Sequence, residues 1–349
     1  TKTGYTFNGW TGSNGSSPQT SVTISKGSQG DKTYTATWTA KSYTITYNCN
    51  GGSGSTASSS HTYGVAKNLS SNGCYKITEG TSGMVYYMAG WSTSSSATAA
   101  TYTNGQSVTN INNGSNTTLY AVWKNLFSYT GSKNVIHDGN GNWRIKFLTD
   151  GTFITNYDIN IDAFLVGGGG GGGRNGGGGG GGGYTLSKAS NSVLKGVSYS
   201  IVIGAGGTGG QAESKAGSAG GTTTAFSLSA AGGAGGRGYE EPRRHGGNGG
   251  SGGGGGGNVG GAAGTDGGNG TAGSEAVYVG NGGQGQGFST REFWTLDNNS
   301  AATLYSSGGA GTNGVSGAAN TGNGGGGTGY TSTAIHNGGS GIVIIRNHR

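Results

Sequence analysis

Residues 162–183 read DAFLVGGGGGGGRNGGGGGGGG, so an apolar, strand-like segment runs directly into two long glycine tracts. A third tract covers Gly252–Gly257, and between Gly246 and Gly273 glycine fills every third position except at Asn258. A three-residue period fits neither an α-helix nor a pleated strand, whereas the polyproline-II screw has three residues per turn and no internal hydrogen bonds. The tracts therefore predict extended glycine helices, which must pair their backbone groups with one another where they are buried.

Two other structures are compatible with glycine-rich sequence. Collagen also places glycine at every third residue, but collagen-like chains carry about 15–20% proline or more, and this chain has 2 prolines in 349 residues. Disorder is the usual state of low-complexity glycine sequence. Against disorder, apolar segments recur between the tracts, for example at Tyr199–Ile203, Thr222–Leu228, Ala276–Val279 and Gly341–Arg346. This alternation predicts a β-sandwich-like domain over residues 127–349, with its connections gathered into a polyglycine-II helix bundle.

The first third of the chain contains two copies of one unit. Gly4–Trp10 is followed by Tyr34–Trp38 in the first copy, and Tyr86–Trp91 is followed by Leu119–Trp123 in the second. Aromatic or β-branched residues alternate with threonine in these segments, which predicts half-buried strands around small tryptophan cores. An opening strand, Tyr43–Asn48, precedes the second copy and is lacking in the first. We predict a partial β-repeat at residues 1–40 and a second β-repeat at residues 41–124.

The GW and AxW motifs of these copies resemble the Listeria–Bacteroides repeat, also called the internalin B-type repeat. This resemblance covers about residues 1–124 and implies small β-grasp-like modules. The family occurs in tandem on bacterial surface proteins, where it mostly acts as a spacer. The serine- and threonine-rich insert at residues 92–103 departs from the family pattern.

The texts DAFLVGGGGGGG, YSIVIGAGG and GGSGIVIIRN resemble the glycine-rich domain of bacteriophage tail-fibre and adhesin proteins. The resemblance covers about residues 127–349. It implies that glycine helices form a scaffold and that the loops joining them contact a host receptor. With the repeats, the predicted fold class is all-β.

Composition limits the classes of function. Charged residues are 9% of the chain, the net charge is +7, and no segment has the dense Lys/Arg clustering of a nucleic-acid surface. No apolar run is long enough to span a bilayer, so we expect neither nucleic acid nor membrane insertion. Cys49 and Cys74 are compatible with a disulfide and equally with two free buried thiols.

The sequence offers little for catalysis or cofactor binding. Gly204–Gly209 matches the dinucleotide fingerprint GxGxxG, but such a match is nearly guaranteed in sequence this rich in glycine, and no amphipathic helix follows to receive a phosphate. The five histidines are scattered without metal-ligand spacing. Glu240–Glu241 is a carboxylate pair with no cleft-forming framework around it. We therefore expect no enzyme, no cofactor and no metal.

Two interruptions of the glycine sequence concentrate aromatic and charged residues, the types enriched at binding hot spots. They are residues 237–245 and 288–297. One interpretation is that Phe293, Trp294 and Leu296 form a small core while the arginines keep a loop solvated. The other places six receptor-binding candidates at one exposed tip: Tyr239, Arg243, Arg244, Arg291, Phe293 and Trp294.

These observations favour an extracellular adhesion or receptor-binding protein, on a phage tail or a bacterial cell surface. The expected partner is a glycan or protein receptor on a host cell or another cell surface. The alternative is a purely structural subunit that forms a homo-oligomer or filament.

Overall fold

The computed structural model describes residues 1–211, 216–238, 244–256, 290–312, 314–330 and 332–348. In these residues the fold is all-β, as predicted. One 3-10 turn (Asn112–Gly114) and one α-helical turn, α1 (Trp294–Asp297), are the helical elements of the described chain. No helix in these ranges is long and apolar enough to cross a membrane.

The strands, in chain order, are β1 (Tyr5–Gly12), β2 (Gly15–Gln19), β3 (Tyr34–Ala40), β4 (Ser42–Asn48), β5 (Ser53–Gly54), β6 (Ser59–Thr62), β7 (Lys67–Asn68), β8 (Cys74–Thr78), β9 (Met84–Ser92), β10 (Ser107–Val108), β11 (Thr117–Asn125), β12 (Phe127–Tyr129), β13 (Lys133–Gly139), β14 (Asn142–Phe147), β15 (Gly151–Thr155), β16 (Ile159–Val166), β17 (Thr185–Val193), β18 (Ser198–Ile201), β19 (Thr223–Ala225), β20 (Leu228–Ala230) and β21 (Ile342–Asn347). The chain divides into two compact units. Unit 1 comprises Thr1–Lys76 and Tyr86–Lys124, and unit 2 comprises Ile77–Val85 and Asn125–Arg349.

Unit 1 contains both copies of the sequence repeat. The first copy is a three-stranded sheet of order β2-β1-β3, and the second lies in a six-stranded sheet of order β5-β8-β9-β11-β4-β6. Gly9 and Gly90, which precede the matching tryptophans, have φ angles of +137° and +144°. A β-carbon on Gly90 would lie 2.3 Å from the carbonyl oxygen of Tyr102, so the same backbone shape requires glycine in this copy.

The cysteines of unit 1 are bonded. Cys49 and Cys74 form a disulfide with their Cα atoms 5.5 Å apart. The bond lies beside the core of the second copy, where Trp91 and Leu119 are fully buried. It therefore joins the turn after β4 to β8 across that core.

Unit 2 contains a β-sandwich. Its five-stranded sheet has the order β13-β14-β21-β16-β17, and one face of it packs on the three-stranded sheet β12-β15-β18. Phe147 and Phe153, both fully buried, bring their rings within 5.6 Å across the interface. The residues of β16 and β21 are almost all buried. Such continuous apolar strands are typical of the centre of a sheet covered on both faces.

The glycine tracts of unit 2 form a hydrogen-bonded bundle. Residues 167–173 are all buried, and none has a positive φ angle, which is compatible with the left-handed polyproline-II screw. Their amides donate to three neighbouring segments in strict rotation: to Tyr184, Gly221, Gly339, Gly181, Ser218, His336 and Gly178. The carbonyl oxygens of residues 168–173 accept from three further segments in rotation: from Gly233, Gly207, Gly325, Gly236, Gly210 and Thr328. This first central tract therefore has six hydrogen-bonded neighbours.

Residues 177–183 form a second central tract with the same pattern. The amides of residues 178–183 donate to Arg237, Gly254, Gly325, Ala234, Ser251 and Gly322. Three residues per turn direct successive peptide groups 120° apart, so a repeat of three partners is the expected signature of packed polyglycine-II helices. The predicted bundle is thus present in the described tracts.

One outer tract, at residues 231–237, carries its side chains at every third position, on the side of the helix that is more exposed. In the segment 231–237, Ala231, Ala234 and Arg237 are separated by pairs of glycines, and Gly233 and Gly236 are buried. A β-carbon on Gly236 would lie 2.0 Å from the carbonyl oxygen of Gly178. In this segment the non-glycine residues therefore lie on the more exposed side of the helix.

Candidate functional site

The bundle has two ends, and one of them collects the loops that join the tracts. The β-strands enter at residues 167, 204 and 231, which define the sheet end. At the opposite end, here called the distal end, the Thr328 amide donates to Gly173 and the Gly178 amide donates to Arg237. A polyproline-II rise of about 3.1 Å per residue separates the two ends of a seven-residue tract by about 19 Å.

A cation and an aromatic ring meet at the distal end. The Arg244 guanidinium carbon lies 5.0 Å from the centroid of the Tyr330 ring, and its Nη1 donates to the Tyr330 hydroxyl. Tyr330 is 39% exposed. Nearby in the bundle, Arg174 Nη1 donates to the Gln211 carbonyl oxygen at 2.9 Å. Arg244 was a sequence candidate, whereas Tyr330 was missed because it is a single aromatic residue between glycine and threonine.

Two candidates, Tyr239 and Arg243, lie outside the described residues, as does the predicted strand at residues 276–279. Within the interruption at residues 237–245, the described residues resume at Arg244. The Arg244 carbonyl oxygen accepts from the Gly256 amide at 3.0 Å. Arg244 therefore begins a tract at the distal end of the bundle.

The remaining candidates lie at the sheet end, so the structure does not bring the described candidates to one tip. Residues 290–305 cover the outer face of the five-stranded sheet. Arg291 lies 5.8 Å from the Trp294 ring centroid and donates to the Ala302 carbonyl oxygen at 2.7 Å. Trp294 begins α1 and is partly exposed. These two side chains form a second surface at the sheet end, whereas Arg244 lies at the distal end.

Phe293 is a core residue, which corrects its placement among exposed candidates. It is 2% exposed and packs with Phe164, Ile344 and Tyr305. The Arg346 guanidinium carbon lies 4.3 Å from its ring centroid. The apolar outer face of β16 and β21 needs a cover, and Phe293 provides it. For this residue the small-core interpretation describes the structure.

Ion pairs hold residues 290–305 against the sheet. Glu292, 2% exposed, accepts from Arg144 Nη1 at 2.6 Å, and Arg144 Nη2 lies 2.9 Å from Asp138 Oδ1. Arg346, 3% exposed, bonds Asp162 through Nε at 3.0 Å and also Asp297. A pocket of about 290 Å³ lies between these two clusters.

The environment shifts the pKa values in this network. Burial tends to raise the pKa of the Asp162 carboxyl, but hydrogen bonds with His348, the Ser190 amide and Arg346 outweigh it, so the pKa is lowered. Burial and the charge of Glu292 raise the pKa of the Tyr305 hydroxyl. Both shifts favour the ionisation states that stabilise the network, which are an ionised Asp162 and a neutral Tyr305. The charged groups of the network pair with one another.

The geometry offers little for catalysis in the described ranges. They contain no group of three His, Cys, Asp or Glu residues that could hold a metal ion. The GxGxxG segment, Gly204–Gly209, is an outer glycine tract, and the Thr208 amide donates to Ser218 Oγ at 2.8 Å. No helix follows it within residues 204–211, so its amides are directed to other tracts rather than to a helix N-terminal anion site.

Comparison with known proteins identifies the glycine-rich part. A search of the curated proteins found no match. The family profile described as the glycine-rich domain matches residues 148–348, which is more than half of the chain. The matched range contains β16, β21 and both central tracts. This chain therefore belongs to the glycine-rich domain family.

Proposed function

We propose that this protein is an extracellular adhesion or receptor-binding protein that displays loops on a glycine-helix scaffold. The proposed setting is a phage tail fibre or tail tip, and the partner is a glycan or protein receptor on a host cell. The observation that carries the proposal is the separation of roles within the bundle. The central tracts contain only glycine, while side chains that suit recognition lie on loops at the distal end.

The hydrogen-bonded bundle suits display because binding loops on a rigid support lose less conformational entropy when they bind. Each central tract is tied to six neighbours through backbone bonds, which leave no rotatable side chains to order. Tyrosine and arginine are enriched at binding hot spots. Arg244 and Tyr330 supply that pair at the distal end, and Arg174 adds a second cation.

The repeats of unit 1 fit a spacer role, in keeping with their resemblance to internalin B-type modules. The Cys49–Cys74 disulfide supports an oxidising, extracellular location. A spacer of this kind also suits a bacterial cell-surface adhesin, which is the alternative setting. The proposed role requires no enzymatic activity.

A binding experiment tests the proposal. The full chain, labelled with a fluorophore, would be applied to bacterial cells and to a glycan array. We expect saturable binding that falls at least tenfold in the double variant Arg244→Ala with Tyr330→Ala. The matched control, Arg291→Ala with Trp294→Ala at the sheet end, should bind like the parent. Absence of binding to every surface, together with filaments in electron micrographs, would favour the structural-subunit alternative instead.

A further inference from the structure

The polar pocket of unit 2 lies on the outer face of the five-stranded sheet. Two arginines line it from the sheet, Arg144 on β14 and Arg346 on β21, and they are direct cross-strand partners. Residues of the segment 292–303, together with Asp138, supply the rest of the lining. The volume of about 290 Å³ lies at the small end of ligand pockets, which span about 300–1,000 Å³.

The wall formed by residues 292–303 is fixed in place. The Glu292 amide donates to the Thr303 carbonyl oxygen at 2.9 Å, and the Ala302 amide donates to the Asn299 carbonyl oxygen at 3.2 Å. The Glu292 carboxylate then joins this wall to the sheet through its ion pair with Arg144, at 2.6 Å. The pocket is therefore largely preformed, as is usual for small-molecule sites.

Both arginines have hydrogen-bond donors to spare. A guanidinium group has five N–H groups. Arg144 uses three of them, on Nε, Nη1 and Nη2, for the carboxylates of Asp138 and Glu292. Arg346 also uses three, one on each nitrogen, for the two carboxylates of its own cluster. Among the described residues, each arginine thus has two N–H groups without a partner. Arg346 is 3% exposed, and a buried donor without an acceptor is costly.

The unused groups and the paired charges together define the class of ligand. An anion would face three lining carboxylates (Asp138, Glu292 and Asp297) against two arginines. A cation would meet N–H donors, which include the Asn299 side-chain amide, since Asn299 Oδ1 is occupied by the Ala301 amide at 2.9 Å. A neutral hydroxyl group suits both kinds of neighbour, because its oxygen accepts from an N–H group while its hydrogen is donated to a carboxylate oxygen.

We propose that this pocket binds an uncharged monosaccharide. The sugar hydroxyls accept from the unused N–H groups of Arg144 and Arg346 and donate to the lining carboxylates. Ala301 and Ala302 contact the C–H surface of the ring. The site lies at the sheet end, so the inference goes beyond the proposed function and does not rest on it. One small ring makes few contacts, so the expected affinity is in the millimolar range.

Free sugars test the site in the intact protein. Glucose, galactose and mannose would each be titrated by saturation-transfer NMR, and each would be compared with the uronate and the protonated amino sugar of the same ring. We expect saturable binding of at least one neutral sugar, and binding at least tenfold weaker for its two charged counterparts. Binding of none of the neutral sugars, or equal binding of a charged counterpart, would overturn the proposal. The readout uses no cells, so it is independent of the binding experiment at the distal end.

Two matched variants locate the bound sugar. Ala301→Phe adds a ring at an exposed position of the lining and should weaken binding at least tenfold. Ser300→Phe adds the same ring at the neighbouring exposed residue, which is outside the lining, and should bind like the parent. If Ala301→Phe is unfolded by circular dichroism, Thr303→Phe, at another exposed lining position, replaces it. Undiminished binding in the lining variant, or equal weakening by Ser300→Phe, would place the sugar elsewhere and contradict the proposal.

Discussion

The Gly170 amide donates a hydrogen bond of 2.8 Å to the carbonyl oxygen of Gly181, which joins the two central tracts of the bundle. The Gly170 carbonyl oxygen accepts from the Gly325 amide, also at 2.8 Å, on another side. Because Gly170 both donates and accepts a backbone hydrogen bond, neither tract can move without breaking hydrogen bonds to its neighbours. Glycine allows backbones to approach this closely, whereas a β-carbon would clash with the neighbouring tract.

Replacement of Gly170 by alanine should disrupt the bundle. The new β-carbon would lie 2.0 Å from the carbonyl oxygen of Ala234, and a backbone atom cannot move aside as a side chain can. We expect a loss of at least about 3 kcal/mol in the free energy of unfolding, typical of severe overpacking. Chemical denaturation of unit 2 measures it. Ala219→Val, at an exposed tract position, is the control and should change stability by less than about 0.5 kcal/mol. Equal effects of the two substitutions would contradict a packed bundle.

Removal of the disulfide should destabilise unit 1 selectively. The bond closes a loop between residues 25 apart in sequence, which corresponds to about 3 kcal/mol of unfolding free energy. Calorimetry of the double variant Cys49→Ser with Cys74→Ser should show a lower transition for unit 1. Unit 2 has no cysteine, so its transition is the internal control. A shift of both transitions, or of neither, would disagree with this prediction.

Acid should weaken the contact between β16, β21 and the C-terminal residues. The pKa of Asp162 in the folded chain lies below its ordinary value of 3.8, so the unfolded state takes up the proton first as pH falls. The stability from this group is therefore complete above about pH 5 and is lost as pH falls through the folded pKa. The groups that face it are Arg346, His348 and, through Arg346, Asp297.

Asp162→Asn isolates that contribution. We expect a loss of about 3 kcal/mol at pH 7, since a buried arginine loses one partner. We also expect a flatter decline of stability between pH 5 and pH 2 than in the parent, measured by urea denaturation. Asp158→Asn, an exposed carboxylate, is the control. Parallel pH curves for the parent and Asp162→Asn would show that another group causes the acid sensitivity.

Residues 290–305 should loosen when Glu292 is neutralised. Glu292→Gln keeps the shape of the side chain but weakens its bonds to Arg144 and Lys146. We expect a loss of about 2 kcal/mol and faster cleavage by trypsin at Arg291, since charged hydrogen bonds contribute about 1.5–3 kcal/mol. Glu79→Gln removes an exposed carboxylate and should leave cleavage at Arg291 unchanged. Equal rates of cleavage at Arg291 in both variants would contradict the prediction that Glu292 holds residues 290–305 against the sheet.

The three-residue period identified the glycine helices, but it could not identify their neighbours. Side chains normally specify which segments pack together, and residues 167–173 have none. The clue lay in the outer tracts, where Ala231, Ala234 and Arg237 occupy one phase and so mark the exposed side. Side chains at every third position distinguish an outer helix from an inner one, but they do not show which helices are adjacent.

The candidate site was predicted in part for a related reason. An interruption of glycine sequence has the same composition whether it covers a sheet or forms an exposed loop. Phe293 was therefore grouped with Arg244, although one is a core residue at the sheet end and the other lies at the distal end. Tyr330 was missed because a single aromatic residue gives no pattern. Whether a loop lies at the sheet end or at the distal end depends on the path of each glycine tract through the bundle. A short stretch of sequence does not show this path.

The central claim is that the glycine tracts form a rigid, internally bonded bundle, and hydrogen–deuterium exchange of residues 167–173 and 178–183 tests it most directly. The account predicts that these amides exchange as slowly as those of β16 and β21, because each opens only with the bundle as a whole. The exposed loop residues 29–32, between β2 and β3, should exchange within seconds as an internal reference. Exchange of the tract amides at the rate of that loop would contradict the account.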